Sequence, residues 1–125
     1  MIECLNKERK IEGYIDGKQY LNRKKKLWGY LDGNVAKSDT GYPLLILRDD
    51  GVITLNEGEE QGYLKENKIY TSKNVLVYEF LKERRQILNR IGKPILYFEG
   101  TAREIDELDT IDFFGIAAII LELFS

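Results

Sequence analysis

Carboxylates recur at regular intervals along this chain, and they are the side chains best suited to acid–base chemistry. They end a series of short, similar segments: Asp16, Asp32, Asp49, Asp50, Glu66 and Glu99. Gathered on one rim, such acids could hold a hard cation or serve as the acid and base of a hydrolase or lyase. Aspartate before glycine is also what a tight hairpin turn requires, and this structural interpretation is the favoured one.

Other kinds of catalytic chemistry lack the necessary residues. The chain has no His and one Cys, Cys4, which excludes His-based catalytic dyads, the usual zinc sites and thiolate metal clusters. No Gly-rich phosphate-binding loop is present. The sequence therefore predicts no catalytic residue, no metal and no cofactor.

Aromatic side chains are the remaining candidates for recognition. Tyrosine and tryptophan stack on sugars, bases and partner side chains, and they anchor protein interfaces. The predicted binding residues are Trp28, Tyr30, Tyr63 and Tyr97. The alternative is half-buried packing in which each tyrosine hydroxyl reaches water.

Charge and cysteine content bear on partners and compartment. The net charge is −2, so we expect neither nucleic acid nor a membrane as a partner. The basic run Arg23–Lys26 is a candidate phosphate contact, but equivalent loops change sign, which favours a solvated hairpin tip. A single cysteine and a start without signal-peptide features predict a cytoplasmic protein.

The elements that carry these residues repeat along the chain. "IEGYIDG" (11–17) is nearly copied by "LWGYLDG" (27–33), and Leu-Asn recurs at 5, 21, 55 and 88. Degenerate copies at Lys37-Ser38 and Thr71-Ser72 complete six units of 16–18 residues. Turn residues divide each unit into two short strands, so the pattern predicts six β-hairpins.

The strand pattern places apolar residues on both sheet faces. One face carries Tyr14, Tyr30, Ile46, Phe80 and Tyr97, and the other carries Ile15, Leu31, Leu47, Leu81 and Phe98. Such a sheet needs cover on both faces or offers one to a partner. For residues 79–92 a helix is the alternative, since their apolar positions also fit helical spacing and Gly92 and Pro94 follow.

A C-terminal helical segment is the expected cover. Thr101 and Glu104 have capping-box spacing, Asp109 or Thr110 can cap a second helix, and Ile111–Phe124 is apolar almost all round. Burial against the sheets is favoured, with a homo-oligomer seam or membrane contact as alternatives. We therefore predict a single, mainly β domain over 1–125. Its hairpin repeats (1–100) form a flower-, propeller- or barrel-like sheet assembly, and its apolar C-terminal helical segment (101–125) packs on the sheets.

The sequence resembles the bacterial four-fold β-flower proteins. The matching residues are Gly13–Gly17, Gly29–Gly33, Gly41-Tyr42-Pro43 and Gly92-Lys93-Pro94, although this chain has six units. The resemblance implies a fold and not an activity.

The function expected from the sequence is non-enzymatic binding of a protein or glycan through an aromatic-rich sheet surface. The alternatives are a carboxylate-dependent hydrolase or lyase, and an immunity or regulatory protein that neutralises a larger partner.

Overall fold

The structure is a computed structural model that describes all 125 residues, and it is a closed barrel of antiparallel strands. Every strand pairs with its neighbours in sequence, and β12 pairs with β1 to close the sheet. The strands are β1 (Ile2–Leu5), β2 (Ile11–Asp16), β3 (Gln19–Asn22), β4 (Leu27–Asp32), β5 (Val35–Ser38), β6 (Pro43–Leu47), β7 (Val52–Thr54), β8 (Glu60–Lys65), β9 (Lys68–Thr71), β10 (Leu76–Leu81), β11 (Gln86–Leu88) and β12 (Pro94–Glu99). The predicted mainly β, barrel-like fold is confirmed.

Six hairpins build the barrel, and their turns share one geometry. In each turn the first residue donates its backbone N–H to the carbonyl of the fifth, and the fourth donates back to the first. The fourth residue is left-handed in every copy, at Arg9, Lys25, Gly41, Gly58, Asn74 and Gly92. The first residues are Asn6, Asn22, Ser38, Leu55, Thr71 and Asn89.

Side-chain oxygens explain why Asn recurs at the first position. The Oδ1 atom of Asn22 accepts the backbone N–H groups of Lys24 and Lys26 at 2.9 and 3.1 Å. Thr71 Oγ1 makes the equivalent pair of bonds with Lys73 and Val75, both at 3.2 Å. These are local turns closed by side chains that compete well for backbone donors.

The predicted unit boundaries are wrong in two copies. Leu55, and not Asn56, occupies the place of Asn22, so that Leu-Asn pair is a coincidence. Thr71 also stands in the place of Asn22, so the fifth unit begins one residue before the predicted Thr71-Ser72. The slip reverses two predicted faces: Phe80 points inward and pairs with buried Ile87, and Leu81 points outward.

The segment that also fitted a helix is largely extended. Residues 79–92 contain the end of β10, a 3₁₀ turn at Lys82–Arg84 and β11. Pairing of β10 with β11, and of β11 with β12, overrides the helical spacing. The strand interpretation is therefore confirmed.

Two C-terminal helices complete the fold, α1 (Ala102–Asp106) and α2 (Thr110–Ile119). Thr101 and Glu104 form the predicted capping box of α1. Helix α2 lies inside the barrel next to β4, β5 and β6, and its Phe113 ring stacks on Phe80 of β10 at 5.3 Å. The apolar stretch therefore covers the inner face of the sheet, and its helix ends at Ile119 instead of Phe124. No helix is long and apolar enough to cross a bilayer.

The barrel has two unlike rims. The six five-residue turns form the wide-turn rim, made of residues 6–10, 22–26, 38–42, 55–59, 71–75 and 89–93. The connections at the other end form the narrow-turn rim, where α1 lies. There Lys82 Nζ donates to the carbonyls of Asp106 and Leu108 at 3.0 and 2.9 Å. Helix α2 begins at the narrow-turn rim and leads the C-terminal residues to the wide-turn rim.

Candidate binding pocket

Trp28 is the extra residue of a β-bulge in β4, close to the wide-turn rim. Tyr20 pairs with Gly29 and Leu21 pairs with Leu27, so Trp28 has no residue opposite it. A bulge turns a side chain out of the regular alternation of a strand. The indole is thereby directed toward the mouth of the barrel, where its Cζ3 lies 3.6 Å from the place that a Cβ on Gly13 would take.

All six hairpins have this bulge next to their wide turn. The bulge position of Trp28 is therefore a feature of the fold, whereas a tryptophan at that position is particular to the second hairpin. The register shifts by one residue at the same point in each hairpin. The equivalent residues are Glu12, Leu44, Gln61, Val77 and Ile95. Trp28 is the only aromatic residue among the six bulges.

Next to Trp28 the barrel mouth opens into a cavity of about 550 Å³. Its lining is mostly apolar and comes from the second, third and fourth hairpins, from the end of α2 and from the C-terminal tail. It consists of Trp28, Ser38, Asp39, Leu44, Leu45, Leu55, Ala118, Ile119, Glu122, Leu123, Phe124 and Ser125. We call this cavity the Trp28 pocket.

The C-terminal tail forms one wall of the Trp28 pocket. Glu122 and Phe124 are both left-handed, with φ of 52° and 60°, and they turn the chain back across the barrel mouth. Leu123 is buried, and the Phe124 ring occupies the space that a side chain at Gly62 would need. The glycine in β8 therefore makes room for this wall.

The charges at the Trp28 pocket are acidic. Asp39 and Glu122 line it, and no Lys or Arg does. Glu57 and Glu59 extend the acidic character along the neighbouring turn of the fourth hairpin. An apolar cavity with carboxylates at its edge favours ligands that join an apolar group to a positive charge.

The three predicted tyrosines lie elsewhere, on the outside of the barrel. Tyr30, Tyr63 and Tyr97 belong to the second, fourth and sixth hairpins, and none lines the Trp28 pocket. The structure thus separates them from Trp28 and from one another.

Tyr63 and Tyr97 contact the left-handed residue of the next wide turn around the barrel, and Tyr30 lies close to the equivalent residue. The Tyr63 hydroxyl donates to Asn74 Oδ1 at 2.9 Å, and the Arg9 guanidinium lies 3.9 Å from the centre of the Tyr97 ring. The Tyr30 hydroxyl lies 3.3 Å from the place that a Cβ on Gly41 would take. These contacts give the tyrosines a role in joining neighbouring hairpins.

The regularly spaced acids all lie on the narrow-turn rim and are exposed. Asp32 pairs with Lys37 at 2.7 Å and Asp50 with Arg48 at 2.9 Å. No group of three His, Cys, Asp or Glu side chains is placed to hold a metal ion. Cys4 is buried, and burial raises the pKa of its thiol, which keeps it protonated and a poor ligand or nucleophile.

A second cavity, of about 320 Å³, lies at the narrow-turn rim and includes four acids. Two of them have structural partners. Glu104 accepts the backbone N–H of Thr101 at 2.8 Å and pairs with the Met1 ammonium at 2.9 Å. The bond from Thr101 and then the Met1 ammonium lower the pKa of Glu104 to about 2. Asp112 is 3% exposed, and its Oδ1 accepts from Lys18 Nζ at 2.7 Å. Burial raises the pKa of Asp112, although the bond from Lys18 opposes the shift.

Sequence reasoning identified Trp28 but missed the rest of its pocket. Leu44 occupies the same bulge position as Trp28, so an alignment of the hairpin sequences could have identified it. Leu55 and Phe124 had no such signal, because their placement depends on barrel closure and on the path of the tail.

No protein-family model, curated protein or solved structure matches this chain. The resemblance to the four-fold β-flower proteins remains a prediction from short turn-and-strand motifs.

Proposed function

We propose that this protein is a non-catalytic binding module whose Trp28 pocket takes an apolar side chain of a protein partner, next to a Lys or Arg of that partner. The observation that carries the proposal is the apolar cavity of about 550 Å³ beside the only tryptophan. A tryptophan in a largely apolar pocket is the type of residue that contributes most to binding energy at protein interfaces.

The lining favours a protein partner over a glycan. Sugars need several side chains that hydrogen-bond their hydroxyls, and the polar side chains here are only Ser38, Asp39, Glu122 and Ser125. The apolar residues Leu44, Leu55 and Leu123 instead match an aliphatic or aromatic side chain.

Charge favours a cationic neighbour for that side chain. Asp39 and Glu122 lie at the pocket without a basic partner in any ion pair. A Lys or Arg beside the apolar anchor would supply the missing charge, and its cation could also lie over the Trp28 ring.

Three probes of equal chain length test this proposal: n-hexylammonium, 1-hexanol and hexanoate. We expect amide chemical-shift changes around Trp28, Leu44 and Leu55, with hexylammonium binding most tightly and hexanoate most weakly. Because exposed ion pairs are worth up to about 1 kcal/mol, each step of the series should change the dissociation constant by up to about fivefold.

Two results would refute the proposal. One is a set of shift changes that avoids the pocket. The other is an affinity order in which hexanoate equals or exceeds hexylammonium.

A further inference from the structure

The wide-turn rim gathers more than half of the positive charge of the chain into one arc. The fifth, sixth, first and second hairpins are consecutive around the closed barrel, and their turns carry ten of the 19 Lys and Arg residues. These cations are Lys73, Arg90, Lys93, Lys7, Arg9, Lys10, Arg23, Lys24, Lys25 and Lys26. We call this surface the basic arc.

No ion pair within the chain neutralises the basic arc. Its turns contain a single acid, Glu8, and none of its ten cations takes part in an ion pair. The other acids of the wide turns, Asp39, Glu57 and Glu59, lie on the third and fourth turns. The net charge of −2 therefore hides a strongly basic sector.

Exposed apolar side chains project from the same rim. The chain exposes four large apolar side chains, and three of them, Tyr42, Val75 and Ile91, lie in wide turns. Ile91 is the third residue of its turn and lies at the tip, whereas Tyr42 and Val75 are the fifth residues and lie where the next strand begins. Ile91 is 66% and Val75 48% exposed, and both lie within the basic arc. An exposed aliphatic side chain flanked by Lys and Arg, as Ile91 is by Arg90 and Lys93, is the combination that binds membrane surfaces, with the cations at lipid headgroups and the apolar side chain at the acyl boundary.

We propose that the basic arc docks this protein on the surface of an anionic lipid bilayer, with Ile91 inserted at the headgroup level. Nucleic acid is the less favoured partner because the exposed apolar side chains of the basic arc, Ile91 and Val75, are aliphatic, whereas single-stranded bases stack on aromatic rings. The acidic third and fourth turns tilt away from the bilayer, which leaves the Trp28 pocket accessible. The proposal does not depend on that pocket having a ligand.

Flotation with lipid vesicles tests the proposal on the whole protein. We expect binding to phosphatidylcholine vesicles that contain phosphatidylserine, little binding to phosphatidylcholine alone, and loss of binding as salt is raised. Each cation near such a surface is worth about 1 kcal/mol, or about fivefold, so Arg23→Gln with Lys24→Gln should weaken binding about 25-fold. These two side chains make no hydrogen bond or ion pair, so the fold should be retained.

Two further variants test whether vesicle binding depends on the position of the charge and on the exposed apolar side chain. Lys65→Gln removes an exposed cation from the opposite end of the barrel and should leave vesicle binding unchanged. Ile91→Ser keeps every charge and should weaken vesicle binding severalfold, without weakening binding to a DNA oligonucleotide.

Either of two outcomes would overturn the proposal. In the first, the protein does not float with phosphatidylserine vesicles at low salt. In the second, vesicle binding is indifferent to Ile91→Ser and a DNA oligonucleotide competes it away, which would identify the basic arc as a nucleic-acid surface.

Discussion

At the scale of single residues, the outer tyrosines have clear structural roles. Tyr63 donates to Asn74 at 2.9 Å and stacks on Tyr70 at 4.9 Å, while Tyr97 lies under Arg9. Each contact joins one hairpin to the next, so these rings support the barrel from outside.

The Tyr63 contact gives a test of stability that is separate from binding. Tyr63→Phe removes the hydroxyl bonded to Asn74 and should lower the free energy of unfolding by about 0.5–1.5 kcal/mol. Tyr30→Phe is the matched control, because its hydroxyl makes no hydrogen bond within the chain, and it should change stability little. Urea denaturation measures both, and equal stability of the two variants would refute this role for Tyr63.

At the scale of elements, the main feature is a helix inside a barrel. Eight of the ten residues of α2 are buried, which leaves little of its apolar surface for a second copy of the chain. Its Gly115 lies against Tyr20 and Leu31, so that even a Cβ would overlap the Tyr20 hydroxyl. That hydroxyl is buried without a hydrogen-bond partner.

This contact makes two linked predictions about stability. Tyr20→Phe should raise the free energy of unfolding by about 1–2 kcal/mol, because it removes an unsatisfied buried group. Gly115→Ala should lower it by about 1–3 kcal/mol through overpacking. The double variant should have a free energy of unfolding that is higher, by at least about 0.5 kcal/mol, than the value obtained by adding the two single effects. The reason is that Gly115 and Tyr20 touch, so the Tyr20→Phe change removes the hydroxyl that the new Cβ would overlap.

Denaturant midpoints of the single and double variants measure this coupling. A Tyr20→Phe variant that is less stable than the native protein, or strictly additive effects, would contradict the packing of α2 against β3.

Much of this architecture was predictable from local sequence signals. The Asp-Gly pairs and the Asn-led turns predicted the hairpins, and the apolar run predicted the buried helix. The boundary slip at Leu55 was visible in the sequence, because Gly62-Tyr63 aligns with Gly29-Tyr30 but follows Leu55 one residue sooner than Gly29 follows Leu21. The slip at Thr71 had no such signal, because the fifth unit has no Gly-Tyr pair. The inside position of α2 and the walls of the Trp28 pocket depend on closure between β1 and β12, which no local pattern encodes.

At the scale of the whole molecule, barrel closure determines which turns lie next to one another on each rim. Turns far apart in sequence meet on the wide-turn rim, where an acidic sector adjoins the Trp28 pocket and the basic arc occupies the rest. Charge averaged over the sequence could not show this division. The two proposed surfaces are therefore properties of the closed fold and not of any single repeat.

The central claim is that the Trp28 pocket is the binding site, and one pair of variants tests it most directly. Trp28 and Ile95 occupy the same bulge position in different hairpins, but only Trp28 lines the pocket. The measurement is the dissociation constant of n-hexylammonium for Trp28→Ala and for Ile95→Ala, from chemical-shift titrations of folded protein. We predict that Trp28→Ala weakens binding about tenfold or more while Ile95→Ala binds like the native protein. Native-like binding by Trp28→Ala, or equal weakening in both variants, would contradict the claim.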